Sequence, residues 1–212
     1  MARSQSIDMR SQFQFDLTQE QMLQPFLDRC YKQYAIEPIR YQNRNIQRNG
    51  IDLTLSRDGY SFLVDEKAQL GYIGRSLPCF ALEINSYGPD GRLRTGWLFD
   101  EQKKTEVYAF VFDIRLHAEK TRIDTPEEVA GASIVLVNRH RLINHLERGG
   151  LDRFTLTRQA EEMRRTGALR RYVPEPGWKL AYSEQLAERP VNLLVKRKFL
   201  MTIGQVLRRI AA

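Results

Sequence analysis

Only two cysteines and three histidines occur in the 212 residues. So few thiols exclude a disulfide-stapled scaffold, and Cys30 and Cys79 read as reduced residues in apolar surroundings. A zinc site is not expected either. No cysteine pair accompanies the histidines, and His140 and His145 are five positions apart, where four would stack them on one helix face. No serine sits in a G-x-S-x-G elbow, and no glycine-rich loop ends in Gly-Lys-Ser/Thr, so neither a serine hydrolase nor a nucleotide cofactor is indicated. No apolar run approaches the roughly 18 residues of a membrane span. The opening MARSQSIDMRSQ lacks the apolar core of a signal peptide. A cytoplasmic chain without membrane association is the expectation.

What is present is ordinary in bulk and uneven in charge. Hydrophobic residues make up 42% and charged residues 28%, enough for one sizeable core. The net charge of +7 is not evenly spread. Residues 1–113 hold 14 Lys/Arg against 15 Asp/Glu, and residues 114–212 hold 19 against 11. A basic half beside a neutral one suits a protein that faces a polyanion, although solvated basic helices give the same count.

Residues 18–34 read as a helix: Thr18 and Gln21 form a capping box, and Leu23, Phe26, Leu27, Cys30, Tyr31 and Tyr34 make an apolar stripe. Pro25 weakens its first turns, so regular helix is expected to start near it. Residues 51–55 and 60–67 form a hairpin around Asp58-Gly59. A third strand covers 79–87, and Thr95–Phe99 with Thr105–Leu116 looks like another strand pair. Beyond it come a helical turn at Thr125–Glu128, a strand at Ser133–Val137, a helix from Asn138 to about Glu147, and a basic helix at Thr157–Thr166. A turn at Pro174–Gly177, a strand at Val191–Val195 and a closing segment at 199–210 complete the chain. The expected organisation is a core over 1–116 and a basic α+β part over 117–212, packed on the same core.

Chemistry concentrates in NGIDLTL at 49–55 and FLVDEKAQ at 62–69. Strand side chains alternate, so Asp65 and Lys67 share one face while Glu66 points to the other. Leu63 shares the phase of Asp65, and Phe62 and Val64 share that of Glu66, which leaves open which face is core. Asp52 lies on the paired strand. Two carboxylates so placed suit Mg²⁺ or Mn²⁺, which prefer oxygen ligands. A metal there would activate water against a phosphodiester, and Lys67 would orient that water or hold charge on the phosphate. The other reading is an edge strand whose charges block aggregation. Glu83, on the third strand, is a further candidate for the metal shell or a partner for Lys67. Glu20 and Asp28 lie on the polar face of the first helix, either approaching the metal or solvated.

An acid on one strand followed by acid-x-lysine on the next resembles the PD-(D/E)XK, or restriction-endonuclease-like, nuclease superfamily. Asp52 matches the first acid, Asp65 the second and Lys67 the lysine; Gly50 and Ile51 precede the first acid where the pattern has a proline. The resemblance covers roughly residues 18–116, around QRNGIDL and VDEKAQ, with Gln47, Arg48 and Gln69 flanking the site. It implies an α/β fold with a mixed central sheet flanked by helices, Mg²⁺ dependence, and DNA cleavage leaving a 5′-phosphate. Many such nucleases act as homodimers. Basic residues that could meet DNA phosphates include Arg139, Arg141, Arg164, Arg165, Arg170 and Arg171. Two rival functions stand beside this one: a non-catalytic DNA-binding protein of the same fold, and a metal-dependent phosphohydrolase acting on a small substrate.

Overall fold

The structure, a computed structural model, describes residues 9–173 and 177–210, and the side chains of all of these except 9–16, 44 and 209–210. Two β-sheets and their flanking helices form a mixed α/β architecture. The long helix α1 (Met9–Gln33) comes first, then β1 (Glu37–Arg40), the short helix α2 (Arg44–Arg48), β2 (Leu53–Arg57) and β3 (Tyr60–Ala68). Next come β4 (Cys79–Tyr87), β5 (Leu93–Thr95), β6 (Val107–Leu116), β7 (Val129–Asn138), α3 (Arg139–Arg148) and α4 (Arg153–Thr166). Then follow β8 (Arg170–Tyr172), β9 (Lys179–Tyr182), β10 (Val191–Lys196), α5 (Arg197–Ile203) and β11 (Gln205–Ile210).

The first sheet runs β1-β2-β3-β6-β7-β11 and the second β5-β4-β10-β9-β8. Residues on both sides of position 116 therefore share both sheets: β7 and β11 extend the first, and in the second β10 pairs with β4 and is followed outward by β9 and β8. Among the described residues, no helix is long and apolar enough to cross a membrane.

The hairpin of β2 and β3 turns on Asp58 (φ 52) and Gly59 (φ 80), two left-handed residues that match the twist of the paired strands. β6 then runs parallel to β3, and β7 antiparallel to β6. Both faces of this sheet are covered, so β6 reads as an almost unbroken apolar run. Against one face lies α1, whose Leu23, Phe26, Leu27, Cys30 and Tyr31 pack with Val64, Ala109 and Val111. Against the other lie the second sheet and α3 to α5, with Tyr108, Phe110 and Phe112 meeting Phe80, Leu82 and Leu193.

Three expectations change. The first helix starts upstream of Thr18 and carries Pro25 inside it, so Thr18 is not its N-terminus. In place of one mixed central sheet there are two, and the third strand, β4, lies in the second, paired with β5 and β10. Thr95–Phe99 does not pair with β6: the strand there is the short β5, bound to β4, and Trp97–Phe99 turn beneath it. Of the expected turn at Pro174–Gly177, Pro174, Glu175 and Pro176 lie outside the described residues.

Candidate active site

Asp52 is placed by a backbone mismatch. The β2–β3 ladder ends at Leu53 opposite Val64, so the amide of Glu66 has no strand carbonyl to meet. The Asp52 carboxylate takes that place, its Oδ2 accepting the Glu66 N–H at 2.8 Å, while the Asp52 amide donates to the Val64 carbonyl at 2.8 Å. The segment before it is clasped from the loop that leads into β6. Lys103 Nζ donates to the Arg48 carbonyl at 2.6 Å, Lys104 N–H to Asn49 at 2.8 Å, and Thr105 Oγ1 to the Gly50 carbonyl at 2.6 Å. Gly50 has φ +74, and a Cβ there would lie 2.5 Å from Thr105 Oγ1. Only glycine fits this clasp.

Asp65 and Lys67 lie on the face of β3 turned toward the second sheet, which settles the side that alternation left open. Asp65 is 3% exposed. Its Oδ1 lies 2.7 Å from Lys67 Nζ. The ammonium also sits 5.3 Å from the centre of the Trp97 ring. Trp97 is itself positioned: Tyr108 Oη donates to its carbonyl at 3.0 Å, and Arg139 Nε donates to Tyr108 Oη at 3.2 Å. Gly96, just before it, packs so closely on β4 that a Cβ would lie 2.4 Å from the Glu83 carbonyl oxygen.

Asp52, Asp65, Lys67, Gln47, Lys103 and the α1 residue Glu20 line a cavity of about 340 Å³. Burial, and then the charge of Asp65, push the Asp52 carboxyl up to about 7. For Lys67, burial works against the charge, but Asp65, through its charge and hydrogen bond, and Asp52 outweigh it and hold the ammonium above its usual value. Among the described residues, no group of three or more His, Cys, Asp or Glu is arranged to hold a metal ion. The pair Asp52 and Asp65 nevertheless offers the donor chemistry of Mg²⁺ or Mn²⁺, hard oxygens from two carboxylates with water to complete the shell. Burial first, and the Asp65 charge second, disfavour the ionised form of Asp52, and a cation bound there would offset both.

The other expected residues distribute unevenly. Gln47 lines the cavity, its Nε2 donating to the Tyr41 carbonyl at 3.0 Å. Gln69 is tied away, donating to the Cys79 carbonyl at 2.9 Å and so joining β3 to β4. Glu83 comes from the second sheet and is not among the lining residues of the carboxylate cavity. Its carboxyl is raised by burial, is lowered in part by a 3.2 Å hydrogen bond from Ser86, and feels the charge of Lys67. Arg48 and Arg141 are exposed at the surface.

Two expected DNA contacts are instead spent inside the fold. Arg139 is 9% exposed, with its guanidinium on Tyr108 and on the Asp100 carbonyl at 2.8 Å. Arg164 donates to Asn85 Oδ1 at 2.6 Å and to the Arg189 carbonyl at 2.9 Å, stacked beside Tyr87 and Tyr182. Arg171 pairs with Glu162, and Arg165 is exposed. Arg170 lines a groove of about 690 Å³ that opens from Lys67 past Trp97.

Glu66 borders the same cavity as Asp52 and Asp65, but its carboxylate is engaged elsewhere. It points to the α1 face, where Tyr31 Oη donates to it at 2.7 Å and Arg40 at 2.7 and 3.2 Å, Arg40 in turn holding Asp28 at 2.8 Å. Asp28 is thus neither a metal ligand nor fully solvated. Trp97, Lys103 and Tyr108 were not legible as site residues, because each reaches the site across the sheets and no local spacing marks it. Comparison with protein-family models, curated proteins and solved structures finds no match to this chain.

Proposed function

We propose that this protein is a Mg²⁺- or Mn²⁺-dependent deoxyribonuclease with a restriction-endonuclease-like core. The observation that carries the reading is the convergence of Asp52, Asp65 and Lys67 on one cavity, with Lys67 held by Asp65 at 2.7 Å. The parallel run of β3 and β6, with α1 on the opposite face, supports the same core.

Asp52 and Asp65 are the residues that would hold the cation, and such an ion supplies polarisation of the scissile phosphate and a more acidic attacking water. Lys67, held above its usual pKa, stays an ammonium at neutral pH. It therefore donates hydrogen bonds to a phosphate oxygen or to the water and stabilises developing charge; it does not take the proton of the water. Its ion pair with Asp65 and the Trp97 ring fix its position before substrate arrives. Asp52 changes protonation near neutrality, so it is the carboxyl whose state follows the filling of the site. Hydrolysis joins the water oxygen to phosphorus and breaks the bond to O3′, leaving a 5′-phosphate and a 3′-hydroxyl. Exposed Arg48, Arg141, Arg165 and Arg170 supply cations for the DNA backbone.

The test is cleavage of labelled double-stranded, single-stranded and branched DNA with and without Mg²⁺ or Mn²⁺, wild type beside Lys67→Ala. Metal-dependent products that vanish in the variant are expected. DNA binding with no cleavage of any substrate would overturn the enzymatic reading in favour of a non-catalytic DNA-binding protein.

A further inference from the structure

A second concavity, of about 450 Å³, opens on the same face of the first sheet, at the far end of β6. It is lined by Arg75, Arg115, Arg197 and Arg208, together with Ser76 and Asp113. Four guanidinium groups meet a single carboxylate. Asp113 interrupts β6 at a register shift and takes φ 54, a left-handed conformation uncommon outside glycine. That conformation accompanies a defined arrangement: Ser76 Oγ donates to Asp113 Oδ1 at 2.7 Å, and Arg197 Nη1 reaches both carboxylate oxygens at 2.6 and 2.7 Å. Arg197 also lies over the Phe112 ring at 5.1 Å. One cation is thus fixed by the fold. Among the described residues, the guanidinium groups of Arg75, Arg115 and Arg208 have no carboxylate or carbonyl partner, although they crowd the same cavity.

Like charges gathered around one space repel one another, and an oxyanion relieves that repulsion while meeting the planar forks of the arginines. The position narrows the ligand. Lys67 is level with Phe110 on the neighbouring strand, and Phe112 points the same way two residues, about 7 Å, further along β6. The geometry points to a phosphate-binding pocket formed by Arg75, Arg115, Arg197 and Arg208, which takes a backbone phosphate of the polynucleotide away from the bond cut at Lys67. This assignment rests on the nuclease reading for its ligand, while the pocket itself is a separate set of residues.

The shared chemistry is a phosphoryl oxyanion, and two arms separate its sources. In the first, binding of a labelled oligonucleotide is followed by anisotropy in EDTA across a salt series. Wild type is compared with Arg75→Ala/Arg115→Ala and with Arg57→Ala/Arg92→Ala, which removes the same charge elsewhere. Arg197 is left intact because it ties α5 to β6, and melting curves verify that each variant folds. The pocket variant should lose about 1 from the slope of log K against log salt, and roughly 5-fold in affinity near 0.15 M, with the control close to wild type. Equal isotherms for the pocket variant and the control overturn the pocket and leave the nuclease reading standing. In the second arm, inorganic phosphate is titrated against melting temperature. If phosphate protects wild type but not the pocket variant while no protein binds the oligonucleotide, the polynucleotide assignment is overturned and the pocket belongs to a free phosphate. Failure of both arms, with no cleavage, removes the pocket and the nuclease reading together.

Discussion

Asp65 Oδ1 and Lys67 Nζ, two residues apart on one face of β3, lie 2.7 Å apart in a part of the fold where the carboxylate is 3% exposed. Neither charge is independent of the other. Removing the ammonium leaves a buried carboxylate with its nearest cation gone, a situation that costs about 3–5 kcal/mol when burial is complete.

For Lys67→Ala we therefore expect two effects. Cleavage should fall by roughly 10²–10⁴-fold, the usual range for removing a positioned charge or proton donor. Stability of the metal-free protein should also fall, and added Mg²⁺ should recover part of it, because the cation replaces the missing charge beside Asp65. Single-turnover cleavage and melting curves with and without Mg²⁺ measure both. A variant that cuts as fast as wild type removes Lys67 from the mechanism.

Asp52 yields a pH prediction. Its ordinary value of 3.8 rises to about 7 in the folded chain. Between those values the native state binds the proton that the unfolded state has released, so this group makes the protein less stable as pH rises from about 4 to about 7, with no further loss above. Asp52→Asn abolishes the dependence. In urea unfolding, the variant should gain on wild type by roughly 2–4 kcal/mol at pH 8 and by much less at pH 5. A gap that is equal at the two pH values contradicts the raised carboxyl. Metal binding follows the same sign: a cation must displace the Asp52 proton at low pH, so the Mg²⁺-induced rise in melting temperature should be larger at pH 8 than at pH 5.5.

Much of the local framework was legible because its signals are local. The Asp58-Gly59 turn, the period-2 placement of Asp65 and Lys67, the Asn138 cap of α3 and the Gly167 stop of α4 each lie within a few residues of what they determine. Sheet membership was not. β4 has the pattern of a strand covered on one face, and nothing in CFALEINSY says whether its ladder partner is β3 or the distant β10. The same limit hid the fate of the arginines. Arg139 and Arg164 have the composition of a basic surface, yet each is consumed by carbonyl groups far away in the chain. Glu66 against Asp65 was decided by which face α1 covers, a tertiary fact carried by Tyr31 and Arg40.

That network makes Glu66 a structural acid beside the proposed metal ligand Asp65. Burial, followed by the Glu66 charge, raises the Tyr31 hydroxyl well above its usual value, and Glu66 and Asp28 hold Arg40 protonated against its own burial. Arg40→Ala or Glu66→Ala leaves a partly buried partner unmatched and should cost about 2–4 kcal/mol in urea unfolding. Glu66→Gln keeps the shape and should cut DNA at a rate within a few-fold of wild type per folded molecule, in contrast to Asp65→Asn. Loss of cleavage in a folded Glu66→Gln protein would falsify the division of roles between the two faces of β3.

Gly50 carries the last prediction. Its φ of +74 strains any other residue by roughly 1–3 kcal/mol, and a Cβ would meet Thr105 Oγ1 at 2.5 Å, breaking the hydrogen bond to the Gly50 carbonyl. Because Asp52 is two residues on, the clasp that fixes Gly50 also fixes the first carboxylate. Gly50→Ala should therefore lose activity by more than its stability loss explains. Thr105→Val, which removes the hydroxyl but keeps glycine, should show a smaller loss of both. Cleavage rates measured well below each variant's melting temperature separate the two effects. If Gly50→Ala melts lower but cuts at the wild-type rate while folded, Asp52 is held by the Glu66 amide alone and the clasp has no part in placing it.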